Sequence, residues 1–287
     1  MKFKSKILQR IWNRLHNHNR NWFCCIVGET GSGKSWSAMS IAEKLDPDFN
    51  IHRVVFSGRE FMKLINNPGR YKLGKGSFIV WDETGLNLGA RDFMSSVNKA
   101  ICGVLQVFRH RNYGVIFCLP NLSFLDVQAR RLLHFVFETI AIDYENQEVI
   151  TKPFEAETCG RWHKTYLKYP RFRVGGEIRV IKRFRIPKPS DELIEAYEKK
   201  KEKFAREFYR KTEKEIKEIE ERKRKKLFDL EEAINYVVKH HDLFMRGKGK
   251  KRHIDEDLIA HHFGVGIKLA TRVKRVAEKH LEGGIKI

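Results

Sequence analysis

No apolar run in the sequence reaches the roughly 18 residues that a membrane-spanning helix requires, so no integral membrane segment is expected. The N-terminal stretch MKFKSKILQRIWNRLHNHNRN is basic, but no apolar core or small-residue cleavage site follows it, so it does not read as a secretory leader. Cysteine is scarce. Cys24, Cys25, Cys102, Cys118 and Cys159 lie mostly in apolar runs, as reduced buried thiols do, and Cys159 and His163 are too isolated to make a zinc site. That usage reads as cytoplasmic. There is no internal repeat. Acidic residues are in deficit: 36 Asp+Glu against 57 Lys+Arg leave a formal net charge of +21. A heat-adapted Lys/Glu surface raises both signs together, so this surplus points to an anionic partner. Nucleic acid is favoured over a membrane surface or an acidic protein.

What is present allows a substantial core. The 287 residues suit one large or two modest domains, and 41% are hydrophobic, with 20 Phe. Residues 1–21 carry six basic side chains and no acidic one, with Phe3, Ile7, Leu8, Ile11, Trp12 and Leu15 at helical spacing. This predicts a basic amphipathic helix that lies on DNA, on a membrane, against a second subunit or against the chain's own core. From residue 22 strands alternate with helices. The strand runs are WFCCIV, HRVVFS, GSFIVWDE, GVIFCL and FVFETIAID, and helices are expected after the first, near 60–66, over 91–108 and near 126–134. The alternation predicts a mainly parallel sheet covered on both faces, with an antiparallel edge or flap from residues 147–187. Residues 191–226 are nearly all Lys, Arg and Glu with a thin apolar stripe, which reads as a long solvent-exposed helical spacer. The expected organisation is a basic helix over 1–21, an α/β domain over 22–187, a charged helical linker over 188–228 and a small helical domain over 229–287.

The stretch GETGSGKS fits G-x-x-x-x-G-K-[ST], between an apolar strand and a helix, which is the context the motif needs. Gly28, Gly31 and Gly33 let the backbone N–H groups of Gly28, Glu29, Thr30, Gly31, Ser32, Gly33, Lys34, Ser35 and Trp36 wrap a phosphate chain at a helix N-terminus. Lys34 is expected on the β- and γ-phosphates and Ser35 on Mg²⁺. SFIVWDETG supplies the partner, with Asp82 to hold the metal and Glu83 to activate water. A small-molecule kinase needs the Asp but not that Glu. A strand–helix unit at residues 51–66 separates the glycine loop from Asp82, which resembles the RecA-like motor branch of P-loop NTPases. No N-K-x-D guanine motif is present, so ATP is the expected nucleotide. Past the fourth strand, Asn121 is the candidate γ-phosphate sensor, or a turn residue beside Pro120. Arg111, or else Arg109, is the candidate arginine finger acting on a neighbouring subunit, with Arg130 and Arg131 in reserve.

DEDLIAHHFGVGIKLATRVKRVAEKHLEGGIKI predicts a helix capped by Asp255, a glycine turn and a second helix over 267–280, with GGIKI as a minimal wing. This is helix-turn-helix order, leaving Lys268, Arg272, Lys274 and Arg275 outward for DNA. Lys250, Lys251 and Arg252 are suited to phosphate contacts. A helix-hairpin-helix built on Gly264, Val265 and Gly266, or a subunit-docking module, fits the same residues.

Together, RNYGVIFCLPN and HFGVGIKLATRV resemble the FtsK–HerA branch of DNA-pumping ATPases, at Arg111, Gly114 and Asn121 and at Phe263, Val265, Gly266, Ala270, Arg272 and Val273. The resemblance covers about 22–145 and 230–287. It departs at Asn121, where that family usually has Gln, and in the charged helix between the two blocks. It implies a RecA-like P-loop core and a C-terminal winged helix. It also implies ATP and Mg²⁺ at the subunit interfaces of a hexameric ring around double-stranded DNA. A nucleotide-switched DNA-binding regulator or partition protein, and a Zot-like assembly ATPase, are the rival readings.

Overall fold

The computed structural model describes residues 3–82, 103, 111–125, 127–159, 164–247 and 252–282, with residues 222–229 described by backbone alone. They form two compact units, Met1–Phe204 and Ala205–Ile287.

The first unit is built on a mainly parallel sheet. Strands β1 (Trp22–Val27), β2 (Val54–Val55), β3 (Phe78–Trp81), β4 (Gly114–Leu119) and β5 (Phe135–Asp143) stand in the order β5-β1-β4-β3-β2, all neighbours parallel. Antiparallel strands extend the β5 side: β6 (Glu148–Cys159) pairs with β5, and both β7 (Lys164–Lys168) and β10 (Phe184–Pro187) pair with β6. A separate ribbon joins β8 (Arg171–Val174) to β9 (Glu177–Val180).

The strand sequences explain the layers. Period-two side chains divide each apolar run between the two faces of the sheet. Trp22, Cys24 and Ile26 of β1 join Phe78, Val80, Ile116 and Cys118 in one core cluster. Phe23 and Cys25 join Ile79, Trp81, Val115 and Phe117 in the other. Helices α1 (Lys6–His16) and α2 (Lys34–Leu45) supply Ile7, Ile11, Met39 and Ile41 to the first cluster. Helices α3 (Gly58–Asn66) and α4 (Val127–Leu132) supply Phe61, Leu64 and Ala129 to the second. Both faces are therefore covered, as a parallel sheet requires.

The structure selects one of the readings of the N-terminal helix and shortens the solvated part of the charged helix. The basic N-terminal helix buries Ile7, Ile11 and Leu15 in the core of the first unit, so its apolar stripe serves its own chain. Its Arg10 pairs with Glu155 and lies 3.9 Å from the Phe172 ring centroid. The charged helix α5 (Asp191–Lys239) is not a solvated spacer throughout. Up to Phe204 it belongs to the first unit, with Leu193 and Tyr197 buried and Phe204 stacked on Phe56 at 4.9 Å.

In the second unit α5 continues to Lys239, followed by the two-residue strands β11 (Met245–Arg246) and β12 (His253–Ile254) and helices α6 (Glu256–Phe263) and α7 (Ile267–Glu282). Asp255 caps α6, accepting from the Asp257 N–H at 2.8 Å, and Gly264 ends it at φ +61°. Residues 283–287, where the sequence places a wing, lie outside the described residues. Among the described residues no helix is long and apolar enough to cross a membrane.

Candidate nucleotide-binding site

The C-terminal ends of β1, β4 and β3 meet at one edge of the sheet. The loop after β1 turns on Gly28, Gly31 and Gly33, at φ +153°, +80° and +83°. Gly28 has a second reason to lack a side chain: a Cβ there would lie 1.8 Å from Thr139 Oγ1. Thr139 is aimed at the loop beside an irregularity in the β5–β6 pairing between Thr139 and Ala141. Its hydroxyl donates to the Val27 carbonyl at 3.2 Å and lies 2.8 Å from Ser32 Oγ, tying β5 to the loop. Gly33 caps α2 through backbone alone, at the end of the helix that attracts anions. Lys34 Nζ reaches back over the loop, 2.8 Å from the Gly28 carbonyl and 2.5 Å from that of Glu29.

The strand order brings Asp82 to the same place. β4 lies between β1 and β3, so the carboxylate at the end of β3 stands one strand beyond the glycine loop. Asp82 is 2% exposed, and its N–H donates to the Val55 carbonyl. Tyr197 of α5 donates its hydroxyl to Asp82 Oδ2 at 2.5 Å, and Ser35 lines the same cavity as both. Burial, then the Asp82 charge, push the Tyr197 pKa up, so the phenol keeps its proton and remains a donor. Burial likewise raises the pKa of Cys118, whose Sγ lies 3.8 Å from the Lys34 carbonyl, so that wall of the site is a neutral thiol.

These groups open on a cavity of about 910 Å³, within the range of ligand sites. Its lining includes Gly31, Gly33, Lys34, Ser35 and Asp82, apolar side chains such as Trp36, Ile142 and Val149, and the polar Gln147, Glu148 and Lys188. One face of α5 closes it with Ile194, Tyr197 and Lys201. A hydroxyl and a carboxylate beside a glycine loop are the oxygen donors that Mg²⁺ takes alongside phosphate, so the residues fit a magnesium nucleotide.

Other candidates stand elsewhere. Asn121 is exposed beyond β4, accepts from the Ser123 N–H at 2.9 Å as the cap of a short 3-10 turn, and is absent from the cavity lining, which takes Pro120 and Phe124 instead. Arg111 precedes β4, at the far end of that six-residue strand and roughly 20 Å from the glycine loop. Arg130 and Arg131 lie on α4. Glu83 and Arg109 lie outside the described residues, as do Lys250 and Lys251.

In the second unit Lys268, Arg272 and Arg275 are exposed at i, i+4 and i+7 along α7, and Lys279 continues that stripe. Ala270, Val273 and Ala277 form the buried face behind it. Lys274 leaves the stripe and pairs with Glu256 of α6 at 2.6 Å, which lowers the Glu256 pKa and joins the two helices. Arg252 is exposed just ahead of β12.

A mainly parallel, doubly covered sheet, with the glycine loop after β1 and the carboxylate after β3 across β4, is a RecA-like P-loop fold. No protein-family model and no curated protein matches the chain. Among solved structures, the N-terminal domain of zonular occludens toxin from Neisseria meningitidis is similar over 47% of this chain and 84% of its own, at 16% identity and a TM-score of 0.31.

Proposed function

We propose that the chain is an ATP-hydrolysing motor that acts on DNA. The observation that carries the reading is the convergence of Thr30, Gly31, Gly33, Lys34, Ser35 and Asp82 on one cavity, through the β1-β4-β3 strand order. Backbone N–H groups of the loop and the Lys34 ammonium bind phosphate oxygens. Ser35 and Asp82 hold Mg²⁺, which when bound offsets the charge gathering on the phosphates. Glu83, the residue after Asp82, takes the proton of the attacking water. The absence of a guanine-reading motif favours ATP.

DNA as the partner rests on the +21 charge and on the exposed α7 stripe of Lys268, Arg272 and Arg275. Arg111 stands before β4, at the end away from its own loop, which is compatible with a role at another subunit's nucleotide in a ring, with Arg109 the alternative. The resemblance to the FtsK–HerA branch supports a hexamer around duplex DNA. The test is ATP turnover with duplexes of arbitrary sequence and increasing length, at low and moderate salt. A travelling motor is stimulated by long duplexes and far less by short ones. Slow turnover indifferent to DNA length would contradict translocation and favour a nucleotide-switched DNA-binding protein.

A further inference from the structure

Helix α5 enters the nucleotide site by a route its charge conceals. Its first turns are docked firmly: Lys200 Nζ donates to the Val54 carbonyl and lies 5.6 Å from the Phe56 ring, and the Tyr197 ring meets Phe56 at 6.1 Å. The ring is thereby fixed by packing, and its 1% exposure leaves no room for a second orientation in water. Its hydroxyl ends on Asp82 Oδ2, in the cavity that Ser35 also lines, and Ser35 and Asp82 are the two side chains that would hold the metal.

A carboxylate that ligates a metal must present an oxygen in a fixed direction, and outer hydrogen bonds set that direction. At 2% exposure Asp82 does not take its orientation from bulk solvent. The phenol donates to Oδ2 without bringing a charge that would compete with a cation, which a lysine or arginine there would do.

We infer that Tyr197 is a positioning residue of the metal–nucleotide site, holding the Asp82 carboxylate in the orientation that receives Mg²⁺. The inference rests on the reading of Ser35 and Asp82 as magnesium ligands. It makes the first part of the charged helix a component of the nucleotide site.

The test uses the full chain and its Tyr197→Phe variant, which keeps the ring and removes only the hydroxyl. ADP binding is measured by calorimetry in EDTA and again across a Mg²⁺ titration, and Mn²⁺ binding is followed by electron paramagnetic resonance. The expected result is unchanged ADP affinity in EDTA, because the glycine loop is intact. The Mg²⁺ and Mn²⁺ concentrations needed for half-saturation should rise by roughly 10–100-fold. Tyr197→His, which keeps a ring and a donor, should recover part of that loss.

Unchanged metal dependence in Tyr197→Phe, with or without a lower melting temperature, would reduce the tyrosine to packing and overturn the inference. Tighter metal binding would overturn it too, since the hydroxyl would then be competing with the ion. If the unaltered protein binds ADP with no metal dependence, the assignment of Ser35 and Asp82 fails first, and the role of Tyr197 falls with it. Those outcomes are separable because the unaltered protein is measured alongside.

Discussion

Gly31 and Gly33 provide a graded test of how the loop is built. Their φ angles are nearly the same, +80° and +83°, so an alanine at either costs roughly 1–2 kcal/mol for the positive φ alone. Their surroundings differ. A Cβ on Gly31 meets nothing within 4 Å, whereas a Cβ on Gly33 would lie 2.5 Å from Val149 Cγ2. Val149 is 6% exposed on β6, so the clash adds an overpacking cost of roughly 1–3 kcal/mol. Urea denaturation of the full chain should therefore find Gly33→Ala the more destabilising, by about the overpacking cost. Val149→Ala removes both methyls and leaves only the Cβ, 3.7 Å away, in ordinary contact. A double-mutant cycle between Gly33→Ala and Val149→Ala should recover that difference as a favourable coupling of roughly 1–3 kcal/mol. ADP binding should rank the two differently: Gly31→Ala, mild for stability, places its methyl in the cavity and should lose affinity as severely as Gly33→Ala. Equal destabilisation by the two single substitutions, or no coupling to Val149, would refute the packing of the loop against β6.

Three further outcomes follow from other parts of the molecule. Arg53 and Asp46 form a buried pair at 2.5 Å, at 0% and 6% exposure, and Asp46 also accepts the Phe78 N–H that opens β3. Asp46→Ala leaves the guanidinium uncompensated and should cost roughly 3–5 kcal/mol in urea denaturation; a loss below about 1 kcal/mol would mean the pair is hydrated. His134 accepts the Phe23 N–H on Nδ1, and burial, then Arg14, hold its pKa at about 3 against an ordinary 6.5. The folded-state value is depressed, so the unfolded chain takes the proton first and stability falls as pH drops below about 6.5. Between pH 7.5 and 5 the loss through this ring is about 2 kcal/mol, and a His134→Gln variant with the same pH slope as the unaltered chain would refute it. On α7, Arg272→Ala should weaken binding to every DNA sequence alike and lower the salt slope by about 1, while Lys274→Ala should loosen the second unit and spare DNA affinity. The reverse pattern in salt-titrated binding would place the contact on the wrong face.

The sheet was legible because strands covered on both faces read as unbroken apolar runs, as in WFCCIV and GVIFCL. The glycine loop was legible because phosphate chemistry demands a fixed spacing, and α6 and α7 because Asp255 and Gly264 mark their ends. The tertiary partners were not. The stripe of Ile7, Ile11 and Leu15 looks the same whether it meets another protein or its own sheet. Tyr197 lies among Lys and Glu residues, whose solvation dominates any local reading, and its hydrogen bond spans 115 positions to Asp82. Thr139 gives no signal at all, since a threonine in a strand is ordinary until an irregular pairing turns it toward Ser32. Lys274 sits beside Arg275 in the sequence, but its own pairing with Glu256 takes it off the exposed stripe.

The central claim is that the cavity at the glycine loop binds and hydrolyses a magnesium nucleotide. It is tested most directly by ATP binding and turnover in the unaltered chain, Lys34→Ala and Glu83→Gln, each in Mg²⁺. The account predicts turnover by the unaltered chain, lost nucleotide binding in Lys34→Ala, and retained binding without turnover in Glu83→Gln. Turnover in Lys34→Ala at the unaltered rate would contradict the site itself, and normal turnover in Glu83→Gln would contradict the assignment of its base.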